Sequence, residues 1–250
     1  MTLPALGYAL LGGLLPSLVW LYFILKEDAR CPEPKTMIAF AFVVGMFAVV
    51  FAIPLEQIAC TQLALDAVAA CDLGQATWRA FGFNAMLSWA LIEETLKYAV
   101  AAAFVLWRPA VDEAPDYVVY MITVALGFAM AENTLYILNY SNGSILQGSI
   151  LSDQRFLGAT LLHVVSSAAI GFALAFSDFK HPAIRVAAAA TGLILAVSLH
   201  TAFNALIMNE GASTFTAVFF VWIVAVILFA AFEVLKYFQY RNLPPNTCRT

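Results

Sequence analysis

The chain has 250 residues, 63% of them hydrophobic and only 11% charged, with a formal net charge of −4. A soluble globular domain carries about 25% charged residues, so this composition describes a polytopic membrane protein with the lipid bilayer as its solvent. No basic tract or zinc-finger spacing is present, which argues against a nucleic-acid partner.

Seven apolar segments, each near the length of a spanning helix, run roughly over 3–25, 36–56, 84–107, 117–138, 156–177, 183–208 and 214–238. With no internal repeat and short connections apart from 57–83, they predict one domain over 1–250. The expected fold is an all-α seven-transmembrane helix bundle. The first segment has no basic residue ahead of it and no small-residue cleavage site before Lys26, so it reads as a retained helix rather than a signal peptide. Its Gly12, Gly13 and Pro16 predict a kink whose freed backbone groups neighbouring helices must satisfy.

Basic residues set the orientation. An outside N-terminus puts Lys26, Arg30, Lys35, Arg108, Lys180, Arg185, Lys236, Arg241 and Arg249 on the cytoplasmic side, with only Arg79 and Arg155 outside and Lys97 within the membrane. That bias predicts N-terminus outside, C-terminus in the cytoplasm, and an odd number of spans. On this topology Cys60 and Cys71 share the outer connection after the second segment and form a disulfide candidate, whereas Cys31 and Cys248 face the cytoplasm and should stay reduced.

The third segment carries L-I-E-E-T-L-K-Y, with Glu93, Glu94 and Lys97 inside an apolar run. Intramembrane ionisable groups cost free energy and mark functional sites by default. An internal salt bridge is the structural alternative, since Lys97 lies three residues after Glu94 and four after Glu93. It accounts for one glutamate and leaves the second over. The fourth segment adds Glu132 and Asn133, with Phe128, Glu132 and Tyr136 on one face at four-residue spacing. The fifth brings His163, Ser166, Ser167 and Gly171; the sixth, His200 and Asn204, again four apart. Glu233 and Lys236, at the cytoplasmic end of the seventh, read as a solvated interfacial pair, and His181 as part of a turn before Pro182. Gly127 with Ala131, Ser167 with Gly171, and Ala188 with Gly192 are small-xxx-small pairs suited to close helix packing.

Depth unites these residues. At about 1.5 Å per residue, Glu93 lies about 13 Å from the outer end of its segment, Glu132 about 9 Å, His163 about 10 Å and His200 about 12 Å. Four segments of alternating direction thus bring their ionisable groups to one level in the outer half of the bilayer, where accidents would scatter.

Three carboxylates, two imidazoles and an amide around one water suit hydrolysis. A glutamate serves as general base, and His200 with Asn204 as donors to a tetrahedral oxyanion. His163, His200 and a glutamate would also suit zinc, but an H-E-x-x-H helix is absent and no two intramembrane histidines share a segment. The expectation is a site without metal or other cofactor, with zinc as the alternative.

Taken together, E-E-T-L-K in the third segment, F-A-M-A-E-N in the fourth, H-V-V-S-S-A-A-I-G in the fifth and H-T-A-F-N in the sixth resemble the PrsW family of intramembrane proteases. That family is distantly similar to the CAAX prenyl endopeptidases and to the seven-span scaffold subunit of gamma-secretase. The resemblance covers about half the chain, over segments three to six (about 84–208). It implies a glutamate-dependent peptidase of the bacterial cytoplasmic membrane that makes the first, extracytoplasmic cut in a single-pass anti-sigma factor. Glu93 or Glu94 would activate water with help from Glu132, with His163, His200 and Asn204 completing the catalytic set and Lys97, Phe128 and Asn133 supporting it. CAAX endopeptidases usually show a histidine where Glu132 stands and an arginine near Lys97, so prenylated substrates are not implied.

Two rival classes make different predictions. A non-catalytic membrane scaffold would tolerate loss of Glu93 and Glu94. A proton-coupled transporter would spread polar groups along a path, whereas here the inner half of the bundle is nearly free of them.

Overall fold

The computed structural model describes residues 3–63, 82–140, 145–178, 180–208 and 214–241, and within them every regular element is helical. The helices are α1 (Leu3–Glu27), α2 (Lys35–Leu63), α3 (Gly82–Phe104), α4 (Ala114–Tyr140), α5 (Ile145–Gln154), α6 (Leu161–Ala175), α7 (Pro182–Met208) and α8 (Thr214–Tyr240). A π-helical turn, Arg155–Thr160, joins α5 to α6. Among the described residues six stretches are long and apolar enough to cross a membrane: α1, α2, α4, the run Leu146–Ala175, α7 and α8. At 23 residues α3 has comparable length, but it carries three charged side chains. The chain is a polytopic all-α membrane protein.

Helix α4 is the axis of the bundle. From Ala114 to Met130 every side chain is buried, and α1, α2 and α6 pack around it. The outer helices are inverted relative to a soluble protein: Phe51, Phe215, Phe219, Val226 and Tyr237 point outward, as the lipid-facing side of a bundle requires. Close approach to α4 is bought with glycine. A Cβ on Gly127 would stand 1.9 Å from the Phe42 carbonyl oxygen, and one on Gly171 would stand 2.6 Å from Val118 Cα. Helices α2 and α6 therefore meet α4 backbone to backbone, which fixes their depth against it.

The kink expected in α1 has its compensation. Pro16 cannot donate to the Gly12 carbonyl four residues back. Ser152 on α5 supplies the hydrogen bond instead, at 3.1 Å.

Two expectations change. The fifth segment does not begin near 156 with Arg155 outside it: helix runs from Ile145, and Arg155 is tucked against α4. A basic residue marks a membrane boundary only while its charge is unpaired, and Glu132 pairs it. Cys31 was expected as a reduced thiol, but both Cys31 and Cys60 are disulfide-bonded. A sequence argument from compartment does not see which sulfurs the fold brings within bridging distance. Cys71 and Cys248, and with them the Cys60–Cys71 pairing, lie outside the described residues.

The basic residues gather at the end of the bundle formed by the α1–α2, α3–α4 and α6–α7 connections and the last turn of α8. Lys236 reaches the Glu27 carbonyl at 2.7 Å, and Arg108 lies 5.0 Å over the Phe40 ring. Beneath this rim sits a buried acidic cluster of Asp28, Glu113 and Asp116. Tyr240 donates to Glu113 at 2.5 Å, Tyr120 donates to Glu33, and Asp116 accepts from the backbone of Glu113 at 2.7 Å. Among the described residues Asp28 Oδ2 accepts no hydrogen bond.

Burial, reinforced by the nearby charges of Asp116 and Glu113 and only partly offset by Lys236, pushes the Asp28 carboxyl up to about 8. Burial likewise raises Glu33. An acid whose pKa is higher folded than unfolded holds its proton more tightly in the folded state. Its contribution is complete below about pH 4 and is lost as pH rises towards about 8. Thermal unfolding of the purified protein followed from pH 4 to 8 should show stability falling with pH. Asp28→Asn, which cannot ionise, should flatten that slope, and an unchanged slope would refute this origin.

Candidate active site

The charged residues of α3 point into the bundle. Lys97 and Glu94 are 0% exposed, and their side chains meet at 2.8 Å. Such burial is tolerated only when each ion is matched, because an unpaired charge out of water costs several kcal/mol. Lys97 spends its three N–H groups on Glu94 Oε1, on His163 Nδ1 at 2.7 Å and on Glu93 Oε2 at 3.4 Å. Its ammonium also sits 4.6 Å over the Phe128 ring, whose own partner is the His163 ring at 5.6 Å.

The two glutamates are treated differently. Glu94 accepts from Lys97, from His200 Nδ1 at 2.8 Å, from Ser166 Oγ at 3.0 Å and from Ser167 Oγ at 3.5 Å. Both of its oxygens are occupied. Glu93, 8% exposed, has its Oε2 near Lys97, His163 Nδ1 at 3.8 Å and His200 Nε2 at 4.0 Å. Its Oε1 has no partner among the described residues.

These bonds fix the imidazole tautomers. His163 accepts at Nδ1 from an ammonium, so its proton is on Nε2, where it donates to Glu132 Oε2 at 2.7 Å. His200 donates through Nδ1 to Glu94, because a carboxylate only accepts; when neutral, its Nε2 then presents a lone pair towards Glu93. That differs from the oxyanion donor expected of His200, which needs a proton on the nitrogen facing the site. Asn204 stands one turn further along α7, half-buried and without a side-chain hydrogen bond among the described residues.

Four helices thus deliver Glu93, Glu94, Glu132, His163 and His200 to one connected group. Reading the sequence missed two contributors and gave a third no role. Arg155 donates to Glu132 Oε1 at 2.6 Å and to the Asn133 amide oxygen, and stacks 4.6 Å over Tyr136. Asn133 in turn donates to Thr160 Oγ1 at 2.9 Å. The π-helical turn that carries Arg155 and Thr160 is the kind of irregularity that clusters at functional sites. Glu56, on α2, interacts electrostatically with Glu93, Glu132 and Lys97. Trp89 on α3 holds its backbone carbonyl at 3.3 Å. The third contribution is the Ser166 and Ser167 pair of hydroxyls on Glu94. Their sequence signal was their place beside His163; for Arg155 and Glu56 the available signal was a lone charge at a segment's edge.

Glu93, Glu94, His163 and His200 offer ligand atoms within 4.8 Å of one another, a donor set of the right kind for zinc. The Lys97 ammonium already stands among them. It takes the His163 lone pair and shares Glu94 Oε1, leaving His200 Nε2 and Glu93 as free ligands. With Lys97 so placed, its ammonium competes with a metal ion for His163 and Glu94.

The profile of the PrsW family intramembrane metalloprotease matches residues 33–232. Three curated relatives are each called Protease PrsW. That of Geobacillus kaustophilus (strain HTA426) is 35% identical over 117 residues, or 47% of this chain and 46% of the relative. That of Clostridioides difficile (strain 630) is 24% identical over 198 residues, or 79% and 78%. That of Bacillus subtilis (strain 168) is 26% identical over 195 residues, or 77% and 79%. The chain therefore spans less than half of the first relative's length and more than three quarters of the other two. No solved structure gives a significant match.

Lys97→Met keeps most of the length of the side chain and removes its charge. It should lower stability by about 3–5 kcal/mol, the usual consequence of stranding buried partners. With the ammonium gone, zinc should raise the melting temperature of the variant while leaving the parent's unchanged. A parent protein stabilised by zinc as strongly as the variant would show that Lys97 does not stand in a cation's place.

Proposed function

The chain belongs to the PrsW family of intramembrane proteases, and from that premise we propose that it hydrolyses its substrate with a water activated by Glu93. The observation that carries this reading is the asymmetry of the pair. Both Glu94 oxygens accept hydrogen bonds and the residue is fully buried, whereas Glu93 keeps one oxygen without a partner among the described residues and retains slight exposure. A general base needs both a free lone pair and contact with water.

Glu93 takes a proton from the water as its oxygen attacks the scissile carbonyl carbon. The His200 Nε2 lone pair accepts the second hydrogen and orients the attack. The Asn204 amide donates to the oxyanion. As the carbon–nitrogen bond breaks, Glu93 returns its proton to the departing amine. Lys97 and Arg155 do not touch the substrate in this scheme; they pair with Glu94 and Glu132 and fix them. No step passes through a metal, because Lys97 occupies the centre of the donor set.

The substrate class we propose is a single-pass membrane protein cut near its extracytoplasmic face, with an anti-sigma factor as the expectation raised by the family resemblance. The setting is a bacterial cytoplasmic membrane crossed seven times, α3 included, with the N-terminus outside. A reporter fused after Thr250 should be active only in the cytoplasm, and one inserted near Gly143 only outside. Activity of both on one side would break this topology.

Cleavage of a reconstituted substrate, with thermal unfolding in parallel, tests the chemistry. Glu93→Gln should lower the rate by about 10²- to 10⁴-fold and leave unfolding near the parent's. Glu94→Gln should lose activity and stability together, since Lys97 is left without its best partner. Cleavage at the parental rate by both folded variants would mean that no glutamate base operates. Activity should also survive strong chelators; loss restored by zinc alone would move the assignment to the metalloprotease that the family description names.

A further inference from the structure

A cavity of about 440 Å³ opens at the basic end of the bundle, where the α3–α4 connection meets the start of α7. Its apolar wall includes Ala102, Leu106 and Leu174, and two guanidinium groups, Arg108 and Arg185, line it. Both arginines are half-buried. Arg108 Nε donates to the Phe104 carbonyl at 3.1 Å, and Arg185 Nη2 to the Tyr117 hydroxyl at 3.0 Å. Among the described residues neither has a carboxylate within salt-bridge distance. Asp178, on the α6–α7 connection, accepts the Tyr117 hydroxyl at 2.6 Å. Two cations therefore face one cavity with most of their donors unspent.

The mouth indicates what kind of molecule brings the matching anion. Two of the lining residues, Trp107 and Val186, are 65% and 71% exposed, and in a bundle of this kind exposed apolar surface faces acyl chains. Trp107 anchors itself to the Ala103 carbonyl at 2.6 Å, in the manner of an aromatic residue at the membrane interface. A soluble anion would find the cations beside a surface covered by lipid. A ligand with a charged head and apolar tails fits both parts. Basic pockets between transmembrane helices hold anionic headgroups on these terms.

We propose that this cavity is a binding site for an anionic phospholipid, its phosphodiester held between Arg108 and Arg185 and its acyl chains lying against Trp107 and Val186. The site is separate from the Glu93 cluster and does not depend on the hydrolytic reading. It would brace the end of α3 against α7.

The test uses the full-length purified protein in nanodiscs or detergent, with phosphatidylglycerol and phosphatidylcholine as probes. Native mass spectrometry should find phosphatidylglycerol retained over phosphatidylcholine by roughly tenfold, the scale expected of two surface cations. Phosphatidylglycerol should also raise the melting temperature more. Both differences should vanish in Arg108→Gln/Arg185→Gln and persist in Arg108→Lys/Arg185→Lys, which keeps the charges. Lys180→Gln, at the same end but not lining the cavity, should behave as the parent does. Equal retention of the two lipids, or a preference that survives the glutamine pair, would overturn the proposal. So would its loss in millimolar inorganic phosphate, which would assign the arginines to a soluble anion.

Discussion

The polar cluster shared by α3, α4, α6 and α7 is organised around one buried cation. Lys97 joins α3 to α6 through His163, balances Glu94, and reaches Glu93. An ammonium and a carboxylate that are both fully buried gain little net stability from each other, because desolvation consumes most of their attraction. What the pair confers is placement. Glu94, held by four donors, fixes His200 on α7 and both serines on α6. Glu93, one residue earlier and about 100° round the helix, is turned away from full saturation. Adjacent glutamates in a sequence thus become unlike groups in space.

That placement is possible because the helices cannot slide. At Gly127 and Gly171 the backbones of α2 and α6 press on α4 with no side chain between them. A shift of one helical turn would put a side chain where a glycine now sits and carry Glu132 or His163 about 5.4 Å out of register. The apolar packing of α4 and the polar network therefore constrain each other. The same depth that close packing dictates is the depth at which the ions pair.

The sequence disclosed that level because depth follows from counting residues along a helix of known rise. Glu93, Glu132, His163 and His200 could all be ranked this way, since each sits inside a clear apolar run. Arg155 escaped because a basic residue at the edge of an apolar run looks like a boundary; its ion pair with Glu132 is long-range and leaves no local periodicity. Glu56 escaped for the same reason, near the end of α2 where a carboxylate ordinarily meets water. The tautomer of His200 follows from a hydrogen-bond direction, which no spacing encodes. The reduced state expected of Cys31 failed because it was inferred from compartment rather than from proximity.

The two ends of the bundle solve opposite electrostatic problems. Where carboxylates from α2, α3 and α4 converge, Lys97 answers the buried Glu94 and Arg155 the half-buried Glu132. Glu93 is the exception, with its nearest cation 3.4 Å away and already shared. At the basic end burial raises the proton affinity of Asp28 and Glu33, and tyrosine hydroxyls donate to Glu33 and Glu113. A carboxylate neutralised by its own proton cannot serve as a base near neutral pH; one kept ionised by a fixed ammonium, yet incompletely paired, can. Within the cluster shared by α3, α4, α6 and α7, Glu93 is the carboxylate with an oxygen left without a partner among the described residues, which is what a base requires.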